Sequence, residues 1–216
     1  MSISSIGIGD YTASTIELDS HANMIVVGKQ AFVFSHSGQS VDVKAFTEGV
    51  GGLSKVPIVD GVISYDCPHS GETLLIVVMN YFCVLGIEHN LLTPFILHEA
   101  GLAVNDTPKI HIDDPSVGYH SIFDVENKLI IPFQLSGIFL EFQTCSLNEE
   151  EIENVKHYPS VLLTPDSNKW DPYDFAYAFN ENSFLERRGD MMLRRTTAKR
   201  TLVDKLDLAV VEYKGD

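Results

Sequence analysis

The strongest constraint on the fold is a succession of short β-type runs, separated by turn residues, that extends to about Cys145. Apolar and polar residues alternate in these runs, and almost no window holds a helical period. The pattern predicts a mainly β region. The predicted strands are Ile3–Ile8, Ala13–Leu18, Met24–Val27, Ala31–Phe34, Val41–Phe46, Pro57–Tyr65, Thr73–Val78, Tyr81–Val84, Lys109–Ile112, Ser121–Val125, Lys128–Gln134 and Ile138–Gln143. Turn residues between them include His36-Ser37-Gly38, Gly49 to Gly52, Pro68 to Gly71 and Ser136-Gly137.

One short helix is predicted to interrupt the strands. Thr93 stands at the N-cap position, Pro94 occupies the first helical position, where its missing N–H costs nothing, and Gly101 can close the C-terminus. These signals predict a helix of about two turns.

The composition changes after Cys145. Asn148 to Glu151 resembles a capping box that begins a second helix, with Ile152 and Val155 on one face, and Pro159–Pro172 is predicted to be a linker. We therefore predict a β domain at residues 1–145, with a β extension after about residue 105. Residues 146–216 are predicted to form a partly helical or irregular C-terminal connector.

The charge balance restricts the partners. The 216 residues include 15 Lys plus Arg and 30 Asp plus Glu, a formal net charge of −15, which disfavours binding to nucleic acid. The window Glu186–Arg200 is basic, but a solvated helix or a tail that contacts the acidic body explains it better than a nucleic-acid patch. Peptides, small molecules or basic surfaces are the expected partners.

Cysteines and histidines give no sign of a metal or a disulfide framework. Cys67, Cys83 and Cys145 lack paired spacing and suggest reduced thiols in a cytoplasmic protein. The histidines lack ligand spacing, so no metal is expected. The N-terminus has no features of a secretory signal, and the longest apolar run, Leu74–Ile87, is shorter than the ~20 residues that cross a bilayer, so no membrane partner is expected.

The most informative motif is Asp19-Ser20-His21-Ala22, which lies between two apolar runs. The pattern places an acid at a turn between buried strands. Two such carboxylates side by side cannot both ionise, so they share a proton, and the pair can activate a water and protonate a carbonyl oxygen. Asp166-Ser167-Asn168 has no buried strand after it and is interpreted as a turn, so a second Asp19 would have to come from a two-fold related subunit.

At these residues the chain resembles a known family. Leu18 to Ala22, followed by His89-Asn90-Leu91-Leu92-Thr93-Pro94 and a short helix, is similar to the retropepsin-type aspartic protease in the Pol polyprotein of copia-type LTR retrotransposons, most of all those of diatoms and other algae. Weaker similarity continues to about Gly189, where the chain resembles the connector that precedes integrase. The resemblance implies a retropepsin-like closed barrel of about six to eight strands around residues 1–105.

The same resemblance implies roles for particular residues. Asp19 matches the catalytic aspartate, and Ser20 matches the hydroxyl that bonds to the opposite subunit's turn. His21 and Ala22 complete the active-site turn, Leu91-Leu92-Thr93 matches the segment that packs beneath it, and a substrate-covering flap is expected near Gly49, Gly51 and Gly52. The implied activity is that of a homodimeric aspartic endopeptidase that cleaves a polyprotein without an organic cofactor, in the cytoplasm or in an intracellular retroelement particle.

The chain departs from the family pattern at two positions. His21 stands where the family usually has Gly, and Thr93 also replaces a common Gly. A cationic His21 would favour ionised carboxylates and move the activity window to lower pH. The alternative hypothesis is a catalytically inactive, retroelement-derived β domain that acts as a peptide-binding or structural remnant.

Overall fold

The computed structural model describes residues 13–44, 51–87, 89–112 and 120–165. All of them belong to the unit Met1–Pro172, and the unit Tyr173–Asp216 lies outside the described residues. The described strands are β1 (Ala13–Leu18), β2 (Val26–Val27), β3 (Phe32–Lys44), β4 (Gly52–Asp66), β5 (Thr73–Cys83), β6 (His89–Leu92), β7 (Ala103–Asn105), β8 (Ser121–Asp124), β9 (Leu129–Pro132), β10 (Gln134–Ser136), β11 (Phe139–Cys145) and β12 (Ser160–Leu162). The helices are α1 (Pro94–Glu99) and α2 (Glu149–Glu153), with 3₁₀ turns at Lys109–His111 and Val155–His157. The prediction of a mainly β chain is confirmed.

The main sheet joins strands that are far apart in sequence. Its strand order is β10-β11-β1-β6-β2-β5-β4-β3, and β12 pairs with β5. Strand β1 runs antiparallel to β11 and parallel to β6. Cys145 at the end of β11 also pairs with Ser64 of β4, so the pairing path from β4 through β5, β2, β6, β1 and β11 returns to β4. A second, three-stranded sheet has the order β7-β8-β9.

The core of the main sheet is formed by apolar side chains from β1, β4, β5 and β11. Ile16 of β1 is fully buried and lies opposite Phe142 of β11. The Phe142 ring packs edge-on against Tyr65 of β4, with 5.6 Å between the ring centroids. Leu74, Leu75 and Ile76 are all buried, although neighbouring residues of a strand point to opposite faces. Strand β5 is therefore covered on both sides.

Helix α1 begins and ends where the sequence predicts. Thr93 is its N-cap, Pro94 is its first residue, and Gly101 follows the helix with a φ of 84°, a conformation that glycine adopts without strain. The Thr93 side chain, however, makes no capping hydrogen bond. Thr93 is therefore the N-cap by its position, and its hydroxyl does not contribute a capping bond.

Helix α2 has the predicted capping box. Asn148 accepts a hydrogen bond from the Glu151 amide, and the Glu151 carboxylate accepts one from the Asn148 amide. Ile152 packs against the buried cluster of Val62, Leu75 and Leu147. The prediction that Val155 shares this face is wrong, because the helix ends at Glu153 and Val155 lies exposed in the following 3₁₀ turn.

Several local predictions need correction. The predicted strand Lys128–Gln134 is divided between β9, in the three-stranded sheet, and β10, in the main sheet. Lys109–His111 is a 3₁₀ turn instead of a strand. His36-Ser37-Gly38 lies inside β3, where an irregular register between His36 and Ser40 accommodates the turn-forming residues. Thr73–Val78 and Tyr81–Val84 belong to one strand, β5, which ends at Cys83. The predicted strand Ile3–Ile8 lies outside the described residues.

The segments after residue 105 contribute more to the main sheet than the sequence predicts. Strand β11 pairs directly with β1, at the centre of the sheet, whereas an extension packed onto a finished domain was expected. Ser160–Leu162, within the predicted linker, forms β12 and pairs in parallel with Leu75–Val77 of β5. These partners are distant in sequence, and a local pattern of residues does not identify a distant partner.

Candidate functional site

The turn that carries Asp19 is attached to the strand that leads into helix α1. Strand β1 runs parallel to β6, with Leu18 opposite Leu92. One residue later, the Asp19 amide donates a 2.8 Å hydrogen bond to the Leu92 carbonyl. Asp19 therefore begins its turn at the point where β6 ends and helix α1 is about to begin.

Backbone geometry also fixes the Asp19 carboxylate. Its Oδ1 accepts a 2.8 Å hydrogen bond from the His21 amide, which closes a tight turn. The Asp19 side chain is 30% exposed, so it remains accessible to another molecule. The carboxylate is thus held in one direction while part of it faces solvent.

The His21 side chain lies beside this carboxylate. Its Nδ1 is 3.7 Å from Asp19 Oδ1 and 3.5 Å from the Ser20 hydroxyl oxygen. The imidazole is 87% exposed. The Cβ and ring that replace the expected glycine are therefore accommodated on the surface of this chain. An ion pair exists here only when the imidazole is protonated.

The other residues of the turn differ in exposure. Ser20 is exposed and Ala22 is half-buried. Met24 and Ile25 directly after the turn are buried, and the Ile25 carbonyl accepts a hydrogen bond from the Phe82 amide of β5. The turn thus leaves the core at Asp19 and re-enters it at Met24.

The segment predicted to lie beneath the turn is adjacent to it. Leu92 is fully buried and its carbonyl holds Asp19, while Leu91 pairs with Glu17 of β1 and with Val26 of β2. Thr93 is buried, and its hydroxyl has no hydrogen-bond partner among the described residues. The structure therefore brings Leu91, Leu92 and Thr93 together with the turn.

Asn90 supports the site; it belongs to the Asn-Leu-Leu segment of the resemblance, but the sequence alone indicates no role for it. It is fully buried, and its side-chain oxygen accepts a 2.8 Å hydrogen bond from the Gly28 amide. Its side-chain nitrogen donates to the Ser14 hydroxyl and, at 3.3 Å, to the Thr15 carbonyl. A buried amide needs such partners, so an Asn within a run of apolar strand residues was the available signal. Asn90 connects β6 to β1 and to the chain after β2.

The predicted flap region is a long hairpin. Strands β3 and β4 have 13 and 15 residues, and their last described pair is Lys44 with Gly52. Gly51 is exposed and has a φ of 78°, which suits a hairpin end. Gly49 lies outside the described residues. The structure therefore shows a long hairpin in the region where a flap is expected, and Gly51 and Gly52 are at its described end.

No three or more His, Cys, Asp or Glu side chains are grouped to hold a metal ion among the described residues. Within the same residues, no helix has the length and apolar character needed to span a membrane. No protein-family model, curated protein or solved structure matches the chain.

Proposed function

We propose that the chain is an aspartic endopeptidase that cleaves a retrotransposon polyprotein and acts as a homodimer with one Asp19 from each copy. The observation that carries the proposal is the hydrogen bond from the Asp19 amide to the Leu92 carbonyl. It joins the two most specific segments of the sequence resemblance, the acidic turn and the Asn-Leu-Leu segment, at one point in the fold.

The strand pairing supports a retropepsin-like closed barrel as the scaffold. The path from β4 through β5, β2, β6, β1 and β11 returns to β4 at the pair Cys145 and Ser64. We propose that this ring of strands is the barrel that the resemblance implies, with β11 in place of a strand from residues 1–105. A ring of strands holds a turn rigidly, which a catalytic carboxylate requires.

The proposed chemistry needs two carboxylates and one proton. Each Asp19 is partly exposed, so a second copy can bring its own Asp19 alongside. One carboxylate, ionised, accepts a proton from water as the water oxygen attacks the carbonyl carbon of the scissile bond. The other, protonated, donates its proton to the carbonyl oxygen, which gives a tetrahedral diol. The first carboxyl group then passes its proton to the amide nitrogen, the second takes a hydroxyl proton from the diol, and the carbon–nitrogen bond breaks to release a carboxylic acid and an amine. Water is the nucleophile, and the reaction as written uses neither a metal nor an organic cofactor.

Other parts of the site have supporting roles in this proposal. The exposed Ser20 hydroxyl would bond to the turn of the second copy, and the hairpin of β3 and β4 would cover a bound peptide. Apolar side chains at the scissile bond are the expected preference. The proposed setting is the cytoplasm or an intracellular retroelement particle.

A second candidate function is that of a catalytically inactive β domain that binds a peptide or serves as a structural remnant. The exposed imidazole of His21 favours it, because a two-fold axis beside Asp19 would place two such rings close together. The two candidates differ in one property: only the protease needs the Asp19 carboxylate.

The decisive experiment compares the wild-type chain with Asp19→Asn on a peptide library between about pH 4 and pH 7. We expect hydrolysis by the wild type and a loss of about 10²-fold or more in the variant, because the amide can neither accept nor donate the shared proton. Asp106→Asn is the matched control, since Asp106 is an exposed carboxylate remote in sequence from the turn. Equal rates in wild type and Asp19→Asn, or hydrolysis by neither, contradict the proposed protease.

The homodimer is tested in the same assay. An excess of Asp19→Asn mixed with wild type should suppress the activity, because mixed dimers carry a single carboxylate. Activity proportional to the wild-type chain alone, whatever the amount of variant, would assign the site to one copy.

A further inference from the structure

The turn of the hairpin formed by β10 and β11 exposes large apolar side chains. Ser136 pairs with Phe139, so Gly137 and Ile138 form a two-residue turn. Ile138 is 87% exposed, Phe139 is 52% exposed, and Leu135 on the other strand is 59% exposed. Exposed apolar side chains in neighbouring positions are typical of an interaction site. We call the segment Leu135–Phe139 the apolar turn.

The register of the main sheet places the apolar turn at the same end of the sheet as Asp19. Strand β1 is antiparallel to β11, and Glu17 lies opposite Glu141. Asp19 is two residues after Glu17, and Phe139 is two residues before Glu141, so both reach the same level of the antiparallel pair. Neighbouring strands are about 5 Å apart. The apolar turn therefore begins about one strand spacing from the Asp19 backbone.

A second exposed aromatic ring lies near the opposite side of the Asp19 turn. The Leu92 carbonyl that holds the Asp19 amide is followed, two residues later, by the start of α1 at Pro94. Phe95, in the first turn of this helix, is 47% exposed. The Asp19 turn thus lies between two elements, β11 and α1, that both expose large apolar side chains.

The segments that form these surroundings carry no charge in a strongly acidic chain. Neither Phe133–Leu140 nor Leu91–Leu97 contains Asp, Glu, Lys or Arg, whereas the whole chain has a formal net charge of −15. Two copies of such a chain repel each other, so they meet most easily where both surfaces are uncharged. Two Asp19 carboxylates that share a proton add a single negative charge. This end of the sheet therefore opposes the approach of a second copy less than the acidic remainder of the chain does.

We propose that the apolar turn, together with Phe95, is the surface on which a second copy of this chain docks. The inference rests on the proposed homodimer, because a two-fold axis beside Asp19 also passes close to the apolar turn. Around such an axis the same surface occurs twice, so the apolar side chains of one copy pack against those of the other. Their removal from water stabilises the dimer. The interface then includes residues beyond the region 1–105 to which the resemblance assigns the barrel.

The dissociation constant of the dimer, measured on the full chain by sedimentation equilibrium, tests this surface. We expect a wild-type dimer and an increase in its Kd of about tenfold or more in Ile138→Asp, because the change places an unpaired carboxylate in the interface twice. Ile110→Asp is the matched control. Ile110 is 86% exposed and lies in the 3₁₀ turn Lys109–His111, so the variant adds the same charge at equal exposure and should keep the wild-type Kd. Urea denaturation confirms that both variants are folded.

A disulfide cross-link tests whether the dimer brings the two Asp19 turns together. Ser20 is exposed and directly follows Asp19, so Ser20→Cys should form a disulfide-linked dimer with diamide as the oxidant. Cys67→Ser is made in the same chain, because Cys67 is also partly exposed. Addition of Ile138→Asp should reduce the yield of cross-linked dimer, whereas addition of Ile110→Asp should not. A dimer that gives no cross-link at position 20 has its interface elsewhere and overturns the proposal.

The outcomes separate the docking surface from the proposed peptidase. A dimer that Ile138→Asp weakens, in a chain that hydrolyses no peptide, supports the surface and contradicts the peptidase. Hydrolysis that Asp19→Asn abolishes, with equal Kd values in Ile138→Asp and Ile110→Asp, supports the peptidase and overturns the surface. A wild-type chain that is monomeric at about 100 μM also overturns it, and the apolar turn then serves a partner other than a second copy.

Discussion

Asp19 takes its position from backbone hydrogen bonds. Its amide is held by the Leu92 carbonyl, and its carboxylate accepts the His21 amide. The partners at positions 21 and 92 are main-chain groups, so these bonds need no particular side chain there, although proline at position 21 would remove the donor. The local sequence identifies Asp19 as a candidate catalytic residue. That Asp19 bonds to the end of β6 is known only from the structure, because it depends on the pairing of β1 with β6.

His21→Gly tests the imidazole that lies beside this carboxylate in the proposed peptidase. The substitution removes an imidazole that is 3.7 Å from Asp19 Oδ1 and keeps the amide that bonds to it. Protonated His21 favours the ionised carboxylate, so its removal should move the acidic limb of the pH–rate profile of peptide hydrolysis to higher pH. His36→Gly, at an exposed histidine of β3, should leave the profile unchanged. An acidic limb at the same pH in His21→Gly would show that the imidazole has no electrostatic role in the proposed catalysis.

The roles that the sequence did not reveal are those that depend on distant partners. Asn90 lies in a short strand before a helix, and nothing beside it in the sequence indicates Gly28, Ser14 or Thr15 as partners. Asp19, Leu91 and Leu92 were identified because a motif of neighbouring residues carries their signal. A local pattern of residues indicates burial and turns but not contacts between residues that are distant in sequence. This explains why Asp19 was identified and the role of Asn90 was not.

Elements whose boundaries depend on local capping are predicted well. Both α1 and α2 begin at the predicted positions, since Pro94 and the Asn148 capping box act within one turn of chain. Strand β5 was predicted as two strands, because Asn80 is a turn-forming residue. Asn80 has a φ of 51°, and its amide bonds to Asp60 within an irregular part of the β4–β5 pairing. The sheet therefore absorbs the turn residue as a bulge, and the strand continues.

Gly61 of β4 allows β5 to pack closely at this bulge. A Cβ at position 61 would lie 2.6 Å from the Tyr81 hydroxyl and 3.1 Å from the Phe32 carbonyl oxygen. Tyr81 is fully buried, so it cannot swing away into solvent. Gly61→Ala should lower the free energy of unfolding by about 1–3 kcal/mol, measured by chemical denaturation.

Two further variants test the cause of that loss. Gly86→Ala is the matched control, because a Cβ there meets nothing within 4 Å, and it should change stability little. Tyr81→Phe removes a buried hydroxyl that has no partner among the described residues, so it should be nearly neutral alone and should recover part of the loss in Gly61→Ala. Equal stability of Gly61→Ala and Gly86→Ala would contradict the close approach.

At the scale of the whole molecule, the main sheet is assembled from both ends of the described chain. Side chains of Thr15 and Gln143, 128 positions apart, bond at 3.0 Å between β1 and β11. After β12, the Leu163 amide donates to the Val77 carbonyl and the Thr164 hydroxyl accepts the Met79 amide. The sequence predicts a mainly β chain but not the pairing of β12 with β5, because the Pro and Asp residues around Ser160–Leu162 resemble those of a linker. Pairings over such separations also favour slow folding.

The contribution of this late segment is measurable in one pair of leucines. Leu163 is fully buried, whereas its neighbour Leu162 is 38% exposed. Leu163→Ala removes apolar contacts from the core and leaves a cavity, so it should lower the free energy of unfolding by about 2–5 kcal/mol. Leu162→Ala makes the same chemical change on the exposed side of β12 and should cost less than about 1 kcal/mol. Urea denaturation, followed by the fluorescence of the tyrosines and the single tryptophan, measures the free energy of unfolding of both variants.

If the two variants unfold at the same urea concentration, residues 160–164 act as the linker that the sequence predicts. If only Leu163→Ala is destabilised, the core includes β12 and Leu163 although the residues around them resemble a linker. Burial against β5 then outweighs the local preference for a linker.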